Sequence, residues 1–250
     1  MQMIYDCIGD VHGCYGECIE LFHKLGYQFN EDNIPVHPNG NTPVFIGDIT
    51  DRGPNSIEMI NLVWSLTIQR KTALYIPGNH CNKLYRYFLG NKVKAVHGLE
   101  TTIAELEALS KPVRKKVRDH FMQLYESAPL YLVLDQGKLV LAHAGIKKEF
   151  IGATHKGVKT FVLYGDITGK TLPDGRPERR DWALRHPGDP IIVYGHTPVR
   201  EPRIKNNTYN IDTGAVFGGK LTALRYPDMA LFSVTSSQQL VPEKFHTYEH

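Results

Sequence analysis

Short apolar runs alternate with stretches of helical periodicity along the first third of the chain. Residues Ile4 to Ile8 read as a buried strand that stops at Gly9-Asp10. From Tyr15 to Leu25 the residues Cys18, Leu21, Phe22 and Leu25 fall on one helical face, and Gly26 supplies a C-terminal stop. Val44-Phe45-Ile46 predicts a second strand, ending at Gly47-Asp48. Ser56 to Leu66 predicts a second helix, with Ile57, Ile60, Val63 and Trp64 at core spacing. Ala73 to Ile76 predicts a third strand, ending at Pro77-Gly78-Asn79-His80. Strands alternating with helices argue for an α/β domain.

The middle of the chain is mostly helical, with 3.6-residue patterns over Thr101 to Leu109 and Val113 to Tyr125. Strand signals return at Tyr131 to Leu134 and Leu139 to Ala142, joined by Asp135-Gln136-Gly137-Lys138 as a hairpin turn. Residues 165–190, rich in Gly, Pro, Asp and Arg, read as one long loop. Strands follow at Ile191 to Tyr194, Thr208 to Ile211, Leu221 to Arg225 and Ala230 to Val234. This order suits two packed sheets with helices outside, in one domain over residues 1–240. The helical insertion lies at about 98–127, and residues 241–250 form a frayed tail.

The 42% hydrophobic and 22% charged residues are ordinary for a soluble globular protein, and no apolar run is long enough to span a membrane. The N-terminus lacks the basic flank and apolar core of a secretory signal. A net charge of +3 is too small to predict nucleic-acid binding by itself. Cys7, Cys14, Cys18 and Cys81 form neither a C-x-x-C pair nor a zinc-type spacing, so they read as free thiols in a reducing cytoplasm.

Candidate chemistry sits at the strand ends. Asp10 and His12 follow the first strand, Asp48 the second, and Asn79 and His80 the third. His143 and His196 follow two of the later strands. In open α/β sheets ligands bind beyond the carboxyl ends of the strands, so five strands deliver polar side chains to one rim. Each lies beside a glycine that permits a tight turn: Gly9, Gly13, Gly47, Gly78, Gly145 and Gly195. Carboxylate, imidazole and amide oxygen, with no thiolate, suit two divalent ions of Mn²⁺, Ni²⁺, Co²⁺, Fe or Zn²⁺ rather than a soft metal, and the donors alone do not choose among these; Mn²⁺ or Ni²⁺ is the expectation. Asp48 is the natural bridge between two ions, with Asp10 and His12 on one and Asn79, His143 and His196 on the other. One such residue alone is more often a satisfied polar group at a strand end; it is the ordered set that argues for metal.

The ordered blocks GDVHG, GDITDRG, GNH, HAG and YGHTP run from residue 9 to residue 198. They resemble those of the calcineurin-like metallophosphoesterases, in the phosphoprotein phosphatase branch. The resemblance implies a four-layer αββα sandwich, two mixed β-sheets flanked by helices, and the same assignment of the six ligands to two metals. GNHCNKLYRY, VHGLETT, LYGDITG, YGHTPV and NIDTG are further similar to a bacterial subgroup, the bis(5'-nucleosyl)-tetraphosphatases. Several of these blocks also resemble the phosphatase domain of bacterial polynucleotide kinase-phosphatase. Cys81 stands where the broader family carries an acid, as it does in that subgroup.

The expected mechanism is in-line attack on phosphorus by a hydroxide bridging the two ions. His80 would protonate the leaving oxygen and Asp51 would orient and charge its imidazole, the lesser alternative for Asp51 being an acid at a helix N-terminus. Arg52 would clamp the phosphate, its plain alternative being a surface ion pair. Arg179 and Arg180 are candidates for a second clamp, and the resemblance favours Arg179. Lys83 opens a basic stretch over 81–97 in which Tyr85, Tyr87 and Phe88 could face a nucleobase or pack inward. Asp212 is expected to position a ligand histidine or else to serve a strand-end turn. The resemblance also places Tyr164 to Thr168 along the cleft and implies nucleotide binding, GTP included. The implied substrate is diadenosine tetraphosphate, cut asymmetrically to ATP and AMP. The alternatives are a protein or RNA-end phosphomonoesterase on the same site, or a nucleotide-sensing module that has lost catalysis. The last would show a missing ligand, and none is missing.

Overall fold

The computed structural model describes residues 3–172, 175 and 177–248. In chain order the elements are β1 (Tyr5–Ile8), α1 (Tyr15–Leu25), β2 (Gln28–Phe29), β3 (Pro35–Val36), β4 (Thr42–Phe45), α2 (Ser56–Trp64) and β5 (Leu74–Tyr75). Three helices follow, α3 (Asn79–Phe88), α4 (Leu99–Ala108) and α5 (Lys111–Ser127), then β6 (Leu132–Leu134), β7 (Leu139–Leu141) and α6 (Lys156–Tyr164). The chain closes with β8 (Ile167–Thr171), β9 (Pro177–Arg179), β10 (Ile191–Tyr194), β11 (Arg203–Lys205), β12 (Thr208–Asn210), β13 (Lys220–Tyr226) and β14 (Ala230–Thr235).

Two five-stranded mixed sheets carry the fold, in the orders β14-β13-β1-β4-β5 and β11-β12-β10-β7-β6. Each has three parallel strands: β1, β4 and β5 in one, β7, β10 and β12 in the other. The period of two along each strand explains the layering. Cys7, Val44 and Ile46 of the first sheet meet Leu139, Leu141 and Val193 of the second in a dry core between the sheets. Ile8 and Phe45 point the other way, under α1 and α2, and Val140, Ile192 and Tyr194 point under α6. The result is the expected αββα order of layers. The six parallel strands all run toward one rim, which is where the chemistry collects.

Most elements lie where the periodicity puts them. Gly26 ends α1 at φ 94°, and the Tyr27 amide donates back to the Phe22 carbonyl at 3.0 Å, satisfying an end-of-helix acceptor. The hairpin over 132–141 pairs Leu134 with Leu139, and its turn residues Asp135 and Gln136 adopt φ of 45° and 55°. One expectation is corrected. Residues 165–190 are not one loop: β8 and β9 pair as an antiparallel hairpin, and Trp182 docks against Phe161 and Tyr194. These strands are too short for periodicity to announce. The expected tail over 241–250 lies partly outside the described residues, and within them it makes contacts. The His246 amide donates to the Pro198 carbonyl at 2.7 Å, and the Arg200 guanidinium lies 5.2 Å above the Phe245 ring.

Candidate metal centre

The loops after β1 and β4 lock together first. The His12 amide donates to the Asp48 carbonyl at 2.8 Å, and the Gly13 amide to that of Ile49 at 3.0 Å. Holding these turns demands unusual backbone. His12, Asp48, Asp51, Arg52 and His196 have φ of 46°, 34°, 74°, 73° and 72°, in the left-handed region that L-residues seldom occupy. Such conformations cost on the order of 1–3 kcal/mol each and persist where the surroundings over-determine them. Five at one rim mark it as the place where the fold spends stability on geometry.

Two carboxylates are seated against bare backbone. A Cβ on Gly78 would lie 2.1 Å from Asp48 Oδ1, and one on Gly195 would lie 2.1 Å from Asp10 Oδ1. Glycine at both points lets the chain approach and aim an amide at each acid. The His80 amide donates to Asp48 Oδ1 at 2.8 Å, and the His196 amide to Asp10 Oδ2 at 3.1 Å.

Hydrogen bonds fix which ring nitrogens face the centre. His143 Nδ1 donates to the Ile46 carbonyl at 3.0 Å and His12 Nδ1 to the Thr50 carbonyl at 2.8 Å. Each Nε2 therefore faces inward, and in the neutral imidazole it offers a lone pair there. His143 Nε2 lies 3.0 Å from Asn79 Oδ1, 3.1 Å from His196 Nδ1 and 3.2 Å from Asp48 Oδ2. Four nitrogen and oxygen atoms that can each offer a lone pair thus converge, an arrangement that a bound cation satisfies.

By proximity of ligand atoms, His12, Asp48 and His80 form one group and Asp48, His143 and His196 another. Asp48 is common to both, as the sequence anticipates for a bridge. Asp10 falls in neither group; its Oδ1 is 3.9 Å from His143 Nδ1. His80 enters the first group by distance, yet its Nδ1 is taken by Asp51 Oδ2 at 2.8 Å, which leaves only Nε2 for other work.

Electrostatics agrees with the geometry. Burial, then the charges of Asp212 and Asp48, push the Asp10 carboxyl well above its ordinary range. Burial lifts Asp212 to about 6 against the pull of the Gly214 amide and Arg52. Burial works to lower His143, but Asp48 and Asp10 outweigh it and hold the imidazole up to about 9. His12 and His196 are driven well below their ordinary value, by burial first and then by the Arg52 guanidinium and by His143 respectively. Crowded acids face two imidazoles held neutral, His12 and His196, and one held charged, His143, so the acids of this pocket call for positive charge, which divalent cations would supply.

Two guanidiniums flank the rim. Arg52 Nη1 lies 2.6 Å from His12 Nε2, with the guanidinium 5.1 Å above the Phe217 ring. Arg179 Nη2 lies 3.0 Å from His196 Nε2, and its Nε donates to the Tyr164 carbonyl at 2.8 Å. The other candidates sit differently. Arg180 Nη1 pairs with Asp166 Oδ1 at 3.2 Å, and Lys83 Nζ donates to the Val96 carbonyl. Asp212 Oδ1 accepts from the Gly214 amide at 3.0 Å, a strand-end turn contact, and Asp212 makes no hydrogen bond to a site histidine among the described residues. The aromatics of α3 pack inward, Tyr85 stacked on Tyr125 at 4.2 Å and Phe88 edge-on to Phe121 at 5.7 Å. Cys81 is fully buried, and burial followed by the Asp48 charge pushes its thiol up to about 12, which leaves it inert.

Sequence reading misses the helical partners of the site. Thr102 Oγ1 on α4 donates to Asp51 Oδ1 at 2.7 Å, and Glu105 accepts from the Ser56 and Ile57 amides at 3.0 Å each. Neither contact has a local signal, since the partners are about fifty residues apart.

Residues 4–229 match the calcineurin-like phosphoesterase family. The chain is 60% identical over 246 residues, covering 98% of itself and all of the relative, to the bis(5'-nucleosyl)-tetraphosphatase PrpE [asymmetrical] of Geobacillus thermodenitrificans. It is 58% identical over 247 residues, 99% of itself and all of the relative, to the protein of the same name from Anoxybacillus flavithermus. A crystal structure provisionally assigned as a diadenosine tetraphosphatase superposes with a TM-score of 0.64 at 21% identity, covering 94% of each chain. A protein serine/threonine phosphatase from Saccharomyces cerevisiae gives 0.57 at 16%, covering 99% of this chain and 81% of that one. At those identities the two structures speak for the fold alone. None of these names mentions GTP, so that implication of the resemblance goes no further. Match and relatives span nearly the whole chain, and on that ground the protein belongs to the calcineurin-like phosphoesterases.

Proposed function

We propose that this protein hydrolyses bis(5'-nucleosyl) tetraphosphates, diadenosine tetraphosphate among them, asymmetrically to a nucleoside triphosphate and a nucleoside monophosphate. The observation that carries the reading is the convergence of Asp48, Asn79 and His196 within 3.2 Å of the His143 Nε2 nitrogen, with a guanidinium on either side. The substrate class is supported by the two relatives, which carry that activity in their names and align end to end.

Asp10, His12 and Asp48 would hold one divalent cation, and Asp48, Asn79, His143 and His196 a second. Bound there, the pair supplies Lewis acidity that polarises the phosphoryl group and makes water a nucleophile near neutral pH. The donor set fits manganese or nickel. Arg52 and Arg179 bind non-bridging phosphate oxygens from opposite sides through planar forks. Asp51 fixes His80 with Nδ1 protonated, so that Nε2 faces the rim and can hand a proton to the leaving phosphate oxygen. Four free buried thiols suit a reducing compartment, the cytoplasm.

The test is product analysis. Metal-loaded protein is incubated with diadenosine tetraphosphate, a phosphopeptide and a 2',3'-cyclic nucleotide. ATP plus AMP in equal amounts is expected. Two equivalents of ADP would overturn the asymmetric cut, and turnover of the phosphopeptide or the cyclic nucleotide alone would overturn the substrate class.

A further inference from the structure

The helical segment that follows residue 98 reaches into the site through one hydroxyl. Thr102, on the first turns of α4, is fully buried. Its Oγ1 lies 2.7 Å from Asp51 Oδ1, 3.1 Å from the Asp51 amide nitrogen and 3.1 Å from Ser56 Oγ. A hydroxyl has one proton and two lone pairs. The carboxylate can only accept, so the Thr102 proton goes to Asp51. The oxygen then accepts from the Asp51 amide and from the Ser56 hydroxyl. One atom therefore grips Asp51 by its side chain and by its backbone at once.

We infer that Thr102 is a positioning residue for the leaving-group acid: it sets the Asp51 carboxylate, which sets the His80 imidazole. The inference rests on the roles given to His80 and Asp51 above. Asp51 needs such a grip. Its φ of 74° is a conformation the chain leaves readily unless held, and its second oxygen, Oδ2, is committed to His80 Nδ1 at 2.8 Å. Rotation of the carboxylate to find another donor for Oδ1 would swing the acceptor away from the imidazole. The platform under Thr102 is itself keyed to the same loop. The Glu105 carboxylate, one turn further along α4, takes the Ser56 and Ile57 amides at 3.0 Å, and the Gly98 carbonyl takes the Arg52 amide at 3.0 Å. Three attachments from one helix to residues 51–57 register α4 against the loop that carries both the phosphate clamp and the orienting acid. A helix that only walled the cleft would have no need of them.

The test compares Thr102→Val, which keeps the shape and removes the hydroxyl, with Thr102→Ser, which restores it, and with Asp51→Asn. Four quantities are read: bound metal, thermal midpoint, kcat and KM on diadenosine tetraphosphate, and the downfield proton NMR signal of the His80 Nδ1–H, assigned by its absence in His80→Asn. For Thr102→Val, kcat falls about 10–100-fold, metal content stays at the wild-type value, and the downfield signal is lost to exchange. KM stays within about twofold of wild type, since no binding group is touched. Thr102→Ser recovers both kcat and the signal. Should the valine variant not fold, Thr102→Ala is read by the same criteria. Retention of kcat and of the signal in a folded hydroxyl-free variant, or a loss confined to the thermal midpoint, would overturn the role of Thr102. If Asp51→Asn is itself fully active, the acid assignment fails instead, whatever Thr102 does.

Discussion

Replacing Gly78 with alanine tests the placement of the Asp48 carboxylate. Gly78 has φ −99° and ψ −176°, extended backbone that alanine adopts without strain. The new methyl would meet Asp48 Oδ1 at 2.1 Å, Asp48 Cγ at 2.5 Å and the Asp48 amide nitrogen at 2.7 Å. Ordinary contact begins near 3.4 Å, so the carboxylate must retreat by about 1.3 Å. Backbone lies behind it, because the Asp48 carbonyl is tied to the His12 amide. A displacement near 1 Å in a reacting constellation costs about a hundredfold in rate. Because Asp48 belongs to both candidate metal groups, two cation sites weaken together rather than one. The expected result is loss of both metal equivalents by elemental analysis after gel filtration, and a fall in kcat/KM of about a hundredfold or more. Gly16→Ala serves as the control: nothing lies within 4 Å of its Cβ position on α1, so it should leave metals and turnover alone. It should also raise stability by about 0.5–1 kcal/mol through helix propensity. A Gly78→Ala protein that keeps two tightly held ions and full activity would refute the placement of Asp48 as the shared ligand.

Other outcomes follow from the same coordinates. Leu224→Ala removes a fully buried side chain from the core between the sheets, opposite Cys7, and should cost about 2–5 kcal/mol in urea unfolding while metal binding persists; a loss under 1 kcal/mol would mean the sheets are not packed dry there. Burial works to raise the Glu17 carboxyl, but hydrogen bonds from the Ser237 hydroxyl, the Ser237 amide and the Ser236 hydroxyl outweigh it and hold it below its ordinary 4.5. The stability this gives is present above the unfolded pKa and lost as pH falls through the lower folded value. Glu17→Gln should therefore be about 1–3 kcal/mol less stable than wild type at pH 7, with the gap closing in acid; a gap that widens in acid would reverse the sign. Burial pushes the Cys14 and Cys81 thiols up to about 12, and all four cysteines are buried. Iodoacetamide at pH 8 should modify none of them until denaturant is added, and fast labelling of Cys81 in the folded protein would contradict its packing.

What the sequence could show was set by whether the physics was local. Strand ends are local: an apolar run, a glycine and then a polar residue place Asp10, Asp48 and Asn79 at a rim without knowledge of the partner strand. That the two sheets present the same rim is not local, and only the ordered blocks carried it. The β8–β9 hairpin was invisible for a related reason. Its strands are short, exposed and polar on most positions, so neither alternation nor apolarity marked them. The helix α3 was half visible. Its basic face drew attention as a ligand surface, while the stacking of Tyr85 on Tyr125 depended on a helix forty residues away.

Arg179 and Arg180 show where spacing stops and topology decides. Neighbours in sequence, they part because β9 ends at Arg179. Arg179 turns with the strand toward His196, and Arg180 turns outward to Asp166. No composition or charge count separates the two; the alternation of side chains along a strand does, once the strand is known to exist. Asp212 makes the converse point. Its charge reaches the centre, since it helps to push the Asp10 carboxyl up, yet its oxygen Oδ1 is committed to the Gly214 amide. Proximity in the fold therefore assigned it electrostatic influence without the orienting bond that its position in the chain suggested. Thr102 had bonds and no suggestion. Polar residues that act through others become legible when their hydrogen bonds are followed proton by proton, and at this rim that route leads from His80 through Asp51 into a helix the strand-end rule never reaches.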